Sequence, residues 1–518
     1  MEPQTPTPPS LATRLASGVV WKVASMGGAT FLSVTSQLVL GWLLSEGDFG
    51  VYALAISAAA LVQSTKDGGV QMILERVTAS ELRRLANTAL VISGGMSLVT
   101  TAIIVGLADP VADLFGEPDV AKLLVIIAIS GPIGFVEPVA LGGLHAGMKF
   151  RTASLFELAS ATIRHGLTIA FAIAGLGPFS FVLPLLFVKA FESIAGWIAL
   201  RRTGLTPDPG FAPPGELLRL SPWAILGAWA TFAYLAVDNL VLGRLVSTAA
   251  VGFYYFAYQI VFKLLSLFIG LRGVVVPGFA ALGEDKAKTE RAVEAASLLA
   301  GGIAGPSFML MAVTAAPLVG LVWQGRWDGS VGSIVALAMA MPAFLLLNFV
   351  EMLFHARGRF AVWTLLIAAR GVIVGCAAWV GSSFVTGDVP TPAAVVIAVA
   401  IAIGSLLLAY VSGRSVSVGP SALYRGFVPP WILSLAIAGV LLAAKPLYGD
   451  LANLVQLALV SVAALVAAHV GFRWILVNTA EAMRPLLGLV PAGRILAAVL
   501  GISLKETGSD RPAGTTNA

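Results

Sequence analysis

The chain has 518 residues, a length that would suit two or more soluble domains. Its composition excludes that reading: 58% hydrophobic residues, 11% charged residues and a mean hydropathy of +0.91 describe a polytopic membrane protein. The abundance of branched and aromatic apolar residues excludes a disordered chain. A single cysteine, Cys376, excludes disulfides and a multi-cysteine metal site, and no cofactor is expected. The net charge of +5 comes from basic residues scattered singly through short loops, which speaks for membrane orientation rather than nucleic acid binding.

Residues 1–17 are polar, carry four prolines and lack a signal-peptide core, so they read as a cytoplasmic tail. A spanning helix needs about 20 mostly apolar residues. Such stretches fall at 18–44, 49–73, 85–108, 120–142, 152–174, 178–200, 221–243, 250–275, 294–322, 331–352, 361–384, 391–411, 428–446 and 452–475. The expected fold is thus all-α, with about 14 transmembrane helices. With the N-terminus inside, 23 of the 32 Lys and Arg fall on the cytoplasmic side and four outside, while the outer loops collect Glu46, Asp48, Asp109, Asp113 and Glu117. That bias places both termini in the cytoplasm. Residues 481–501 read equally as an interfacial helix or a partly ordered tail, and 505–518 as disordered.

The chain is built twice. LVLGWLLSEGDFGVYALA at 38–55 and LVLGRLVSTAAVGFYYFA at 240–257 share nine of eighteen positions at an offset of 202, among them Gly41/Gly243, Gly50/Gly252 and Tyr52/Tyr254. Gly94-Gly95 and Pro110 recur as Gly301-Gly302 and Pro317, and His-Ala-x-x-basic-Phe occurs at His145–Phe150 and His355–Phe360. Six spans per half is an even number, so the halves run parallel and a pseudo-two-fold axis lies along the membrane normal. The expected organisation is a tail (1–17), an N-lobe of six helices (18–203), a cytoplasmic linker (204–220), a C-lobe of six helices (221–411), two further helices (412–478) and a cytoplasmic tail (479–518).

LSEGDFGVYALAISAAALVQSTKDGGV, DNLVLGRLVSTAAVGFYYFAYQI, VVVPGFAAL and QGRWDGS, the last around Trp327, carry a resemblance. They are similar to the polysaccharide-transport flippases of the multidrug/oligosaccharidyl-lipid/polysaccharide exporter superfamily. The resemblance covers residues from about 15 to 411. It implies a non-enzymatic exporter that flips a polyprenyl-diphosphate-linked oligosaccharide across the bacterial inner membrane. Membrane lipids, and polysaccharide polymerase or export machinery, are the partners it implies.

Charges within spans usually face a partner or a watery cavity. Helix two carries Lys66-Asp67, helix four Glu137, helix five Glu157, Arg164 and His165, and helix six Lys189 and Glu192. In the second half come Asp238, Lys263 and Arg370, with Glu351 near a helix end. One reading is a cationic cavity for a diphosphate, lined by Arg164, Arg370, Lys189 and Lys263, with Arg164 and Arg370 as repeat partners. The other is ion pairing within the bundle, since Lys189 and Glu192 are spaced i,i+3 and Glu157 lies seven residues before Arg164. Asp238, whose repeat counterpart is Ser36, reads as an ion-coupling acid or a helix-to-helix hydrogen bond, and Glu157, Glu192 and Asp67 carry the same two options. His145 and His355 read as loop anchors, and Pro132, Pro138, Pro184, Pro306 and Pro342 as packing features or hinges.

Two alternatives remain. A drug or cation exporter of the same fold would want an acidic or aromatic cavity. A membrane-embedded polysaccharide-assembly enzyme would need a large outer loop with paired carboxylates, and the outer loops are short. No phosphate-binding Gly-rich loop is present for ATP hydrolysis.

Overall fold

The computed structural model describes residues 11–477 apart from 64, 66–69, 71–73, 75–76, 218–221, 271–274, 277–278, 280–284, 417 and 450. The Lys66-Asp67 pair and the 481–501 segment lie outside the described residues. The described helices, three short turns aside, are α1 (Leu11–Leu43), α2 (Glu46–Gln63), α3 (Ala79–Phe115), α4 (Pro118–Ile133), α5 (Glu137–Ala146), α6 (Phe150–Ile173), α7 (Phe179–Arg202) and α8 (Pro222–Leu245). There follow α9 (Thr248–Ile269), α10 (Lys286–Leu298), α11 (Gly305–Trp323), α12 (Asp328–Ala356), α13 (Phe360–Ser382), α14 (Thr391–Ser415), α15 (Val428–Ala443) and α16 (Asn453–Val477).

Every one of the fourteen apolar stretches contains a helix, and no strand occurs among the described residues. Among the described residues eight helices are long and apolar enough to cross a membrane, or nine spans if the bent pair α4 and α5 forms one. The chain is a multi-pass membrane protein. Helix α6 misses that criterion; it carries Arg151, Glu157, Arg164 and His165. A helix that turns polar groups toward other protein need not be apolar all round.

Local chemistry sets the ends. Thr78 and Glu81 form a reciprocal capping box at the start of α3, and Gly116, at φ 71°, ends it in the left-handed conformation. Asp285 caps α10 by accepting from the Lys288 N–H, and that bond holds its carboxyl below the usual range. Pro184 and Pro342 sit inside continuous helices. Breaks occur elsewhere: α4 and α5 meet at 48° around Gly134, and a π-helical stretch, Leu299–Ala304, separates α10 from α11. The two His-Ala loops share one turn geometry, with Met148 at φ 53° and its counterpart Gly358 at φ 67°.

The chain divides into two compact units: Met1–Leu267, Ala315–Leu337 and Gly358–Gly404 make one, and Phe268–Thr314, Ala338–Arg357 and Ser405–Ala518 the other. The first unit takes in helices of both sequence halves. In it α1 packs along α6 and α8 along α13, which pairs the first helix of each half with the fifth. In the second unit α15 lies against α16, and Met309, Val313, Ala438, Val460 and Ala464 share a buried core. There the Trp431 indole N–H donates to the Met339 carbonyl at 3.1 Å.

Candidate functional site

The polar residues of the first unit form three clusters. The first is cationic. Arg164 and His165 lie midway along α6 and Lys263 lies on α9, close enough for each cation to act on the others. The Lys263 ammonium donates to Ser33 Oγ of α1 at 3.1 Å. Gln259, one turn before Lys263, donates to the Tyr255 hydroxyl at 3.0 Å. Among the described residues no carboxylate pairs with Arg164 or Lys263. Arg164 is exposed, while Lys263 is half-buried. Two cations beside hydroxyl and amide groups suit a multivalent anion.

The second cluster pairs its charges. Lys189 of α7 reaches Glu137 at 2.5 Å and Glu192 at 2.5 Å. The i,i+3 pairing of Lys189 with Glu192 is present, and Glu137, at the first position of α5, completes a triad. The break between α4 and α5 makes room for it: a Cβ on Gly134 would lie 2.6 Å from Lys189 Cδ. Glu157 is salt-bridged to Lys22 of α1 at 2.7 Å, so its ion-pair partner stands on another helix from Arg164.

The third cluster is buried. Asp238 of α8 accepts from the Tyr254 hydroxyl at 2.7 Å and from the Asn239 backbone N–H at 2.8 Å. The helix-to-helix hydrogen bond anticipated for Asp238 therefore joins α8 to α9. Tyr234 and Tyr258 stand near this pair. The Arg370 guanidinium of α13 lies 4.6 Å from the centre of the Tyr234 ring, a cation–π contact, and is 5% exposed. Repeat partners Arg164 and Arg370 thus occupy different environments, one exposed and one buried. Gln37 and Asn239, also repeat partners, each bury a polar atom, Nε2 and Oδ1, that has no hydrogen-bond partner.

These clusters lie below a closed end. Gly50 of α2 abuts the Thr248 carbonyl at the start of α9, and Gly252 of α9 abuts the Glu46 carbonyl at the start of α2. Both contacts follow the offset of 202, so each is the image of the other under the pseudo-symmetry. Around them Phe49, Phe256 and Trp327 interlock, with Phe256 stacked on Trp327 at 3.8 Å and Tyr52 stacked on Phe181 at 4.3 Å. The Trp327 indole N–H donates to the Gly41 carbonyl at 2.8 Å and that of Trp323 to Leu38 at 3.1 Å. Sequence reasoning singled out the repeated glycines and named Tyr254 only as a repeat position, and it did not find Tyr234 or Ser33. A Tyr-rich α9 facing the one acid in α8 was the available signal.

Paired helices, buried charge and one sealed end define a membrane-transporter fold. The chain superposes on the lipid II flippase MurJ in an inward closed conformation with a TM-score of 0.68, at 13% identity, over 88% of this chain and 100% of that one. It also matches an inward-facing multidrug resistance transporter of the MATE family and MOP superfamily, with a TM-score of 0.58, at 14% identity, over 75% of this chain and 94% of that one. The family model described as "Polysaccharide biosynthesis protein" matches residues 39–332, and the chain belongs to that family. It is 23% identical over 331 residues to the succinoglycan biosynthesis transport protein ExoT of Rhizobium meliloti (strain 1021), covering 62% of this chain and 65% of the relative. It is 21% identical over 326 residues to the lipopolysaccharide biosynthesis protein WzxC of Escherichia coli (strain K12), again over 62% and 65%. The matches span just under two thirds of these relatives.

Proposed function

We propose that this protein moves a polyprenyl-diphosphate-linked oligosaccharide across the bacterial inner membrane by alternating access, for cell-surface polysaccharide synthesis. The lobes are residues 18–203 and 221–411, both termini face the cytoplasm, and the ends of α2 and α9 that meet at Gly50 and Gly252 face outward. The observation that carries this reading is the pair Arg164 and Lys263: two cations without a carboxylate among the described residues, below a closed end. A diphosphate supplies the charge they lack, while an anionic drug-binding or cation-exporting site would not place two cations there. The polyprenyl tail stays in lipid, and the final helix pair and the polymerase or export machinery are its further partners.

Lys189 and Arg370 are reached differently. Lys189 must leave Glu137 and Glu192 before it can meet the headgroup, and Arg370 sits beneath Tyr234 as a support of α8 against α13. Asp238 orients Tyr254. The test is a strain lacking the gene, complemented with Arg164→Gln or Lys263→Met. Both variants should reach the membrane in normal amounts and leave lipid-linked glycan on the cytoplasmic leaflet. Full restoration of export by both variants would refute the cationic site.

A further inference from the structure

Helix α9 carries a stripe of polar side chains. Tyr255, Gln259 and Lys263 are spaced four residues apart, so they share one helical face. The stripe leads away from the closed end: Gly252, at the seal, stands about one turn before Tyr255, and Lys263 lies about two turns beyond it. Gln259 is the member with bonding capacity to spare. It sits near the middle of the 22-residue helix and is half-buried. Its Nε2 donates to the Tyr255 hydroxyl at 3.0 Å, and among the described residues its carboxamide makes that bond alone. Oε1 and the second Nε2 hydrogen are left over. An amide half-satisfied at that depth is costly against lipid, so it faces a watery path or a polar ligand.

The neighbours narrow the ligand. One turn away from the seal, Lys263 bonds Ser33 and shares its surroundings with Arg164. One turn toward the seal stands Tyr255, with the Tyr52 ring edge-on at 5.8 Å and Arg164 close enough to act on its hydroxyl. Four residues of helix rise about 6 Å, roughly the breadth of one sugar ring. A headgroup whose phosphates sit at Lys263 and Arg164 therefore brings its first sugar beside Gln259. Adjacent sugar hydroxyls can each donate and accept, and a carboxamide offers one acceptor and one donor in a plane, so both spare atoms are met.

We propose that Gln259 and Tyr255 form the subsite for the first sugar of the lipid-linked glycan, the one joined to the diphosphate. The proposal rests on the flippase reading of the Arg164 and Lys263 pair. Gln259 binds two neighbouring hydroxyls of a neutral sugar, and Tyr255 holds the carboxamide in position. The headgroup then lies with its sugar toward the closed end and its phosphates toward the lipid-held tail. A site that hydrogen-bonds a substrate hydroxyl discriminates against a ligand lacking it, because its own polar atoms are then left unpaired. Gln259 is thereby a specificity-determining residue, separate from the cations that hold the diphosphate.

The test is equilibrium binding of short-chain probes to the purified full chain. One probe is farnesyl diphosphate capped by a methyl group on its terminal phosphate; the others carry glucose, galactose or N-acetylglucosamine in place of the methyl, at the same charge. Wild type should bind at least one sugar probe about 5- to 30-fold more tightly than the methyl probe, as one or two net hydrogen bonds provide. In Gln259→Met, which keeps the side-chain length, that ratio should fall to near one, and Tyr255→Phe should lower it part of the way. Arg164→Gln should weaken every probe alike. An unchanged ratio in Gln259→Met, whether or not both affinities fall together, would give Gln259 a structural role and overturn the subsite. A wild-type ratio near one for all three sugars would also overturn it while leaving the cationic site standing. Wild type that binds none of the probes would strike the cationic site, and the subsite with it.

Discussion

Adding one methyl group at Gly50 or Gly252 should open the closed end. A Cβ on Gly50 would lie 2.9 Å from the Thr248 carbonyl carbon, and one on Gly252 2.7 Å from the Glu46 carbonyl carbon, whereas ordinary contact begins at 3.4 Å. The carbonyl oxygens are nearer still, and backbone cannot swing aside as a side chain can. The starts of α2 and α9 must therefore part by more than half an ångström, which also loosens Phe49 against Trp327. Overpacking of this kind costs about 1–3 kcal/mol. Under the alternating-access proposal the contact belongs to the shut state alone, and the whole cost then falls on the closed state. A bias of that size shifts a two-state equilibrium by about 5–150-fold. The assay places a reporter cysteine at Gln259 in a Cys376→Ser background and measures labelling by a membrane-impermeant maleimide applied outside intact cells. Gly50→Ala and Gly252→Ala should each accelerate labelling. Unchanged labelling in both single variants and in the double variant would refute the assignment of this contact as a gate.

Other perturbations separate supporting residues from binding ones. Arg370→Gln should lower the thermal midpoint through loss of the Tyr234 contact, worth about 2 kcal/mol in a desolvated setting, as thermal unfolding of the purified protein would show. Tyr254→Phe leaves one oxygen of buried Asp238 without its donor and should cost about 1–3 kcal/mol, whereas Tyr254→Phe combined with Asp238→Asn should recover part of it in the same measurement. Trp327→Phe keeps the ring stack but removes the bond to Gly41, so outside labelling of the Gln259 reporter should rise by less than in Gly50→Ala. In the second unit a Cβ on Gly301 would lie 2.5 Å from the Phe427 carbonyl oxygen, so Gly301→Val should reduce the amount of folded protein without changing the labelling of any surviving fraction.

Much of the scaffold was legible from periodicity and repetition. Each apolar stretch contains a helix, though α10 begins ahead of its stretch and α4 and α5 share one, and the offset of 202 marked Gly50 and Gly252, whose reciprocal contact gives the repeat its physical meaning. The i,i+3 rule found Lys189 with Glu192 because that pair is local. Glu137 joins it from 52 residues away, and Lys22 joins Glu157 from 135 residues away, so no spacing on one helix could reveal them. Arg164 and Arg370 are equivalent in the repeat, yet one is exposed and the other lies beneath Tyr234. Duplication fixes the helix on which a residue sits and leaves its partner to later divergence. The apolar criterion passes over α6 because Arg151, Glu157, Arg164 and His165 lower its apolarity.

The most direct measurement is the leaflet distribution of lipid-linked glycan in liposomes containing the purified full chain. Glycan extracted from the cell's own membranes is incorporated into both leaflets, and the outer-leaflet fraction is consumed by an enzyme that cannot cross the bilayer. The account predicts that, with wild-type protein, consumption continues past the outer-leaflet fraction, and that Arg164→Gln with Lys263→Met stops at that fraction. Wild-type liposomes that stop at the same fraction as protein-free liposomes would contradict it.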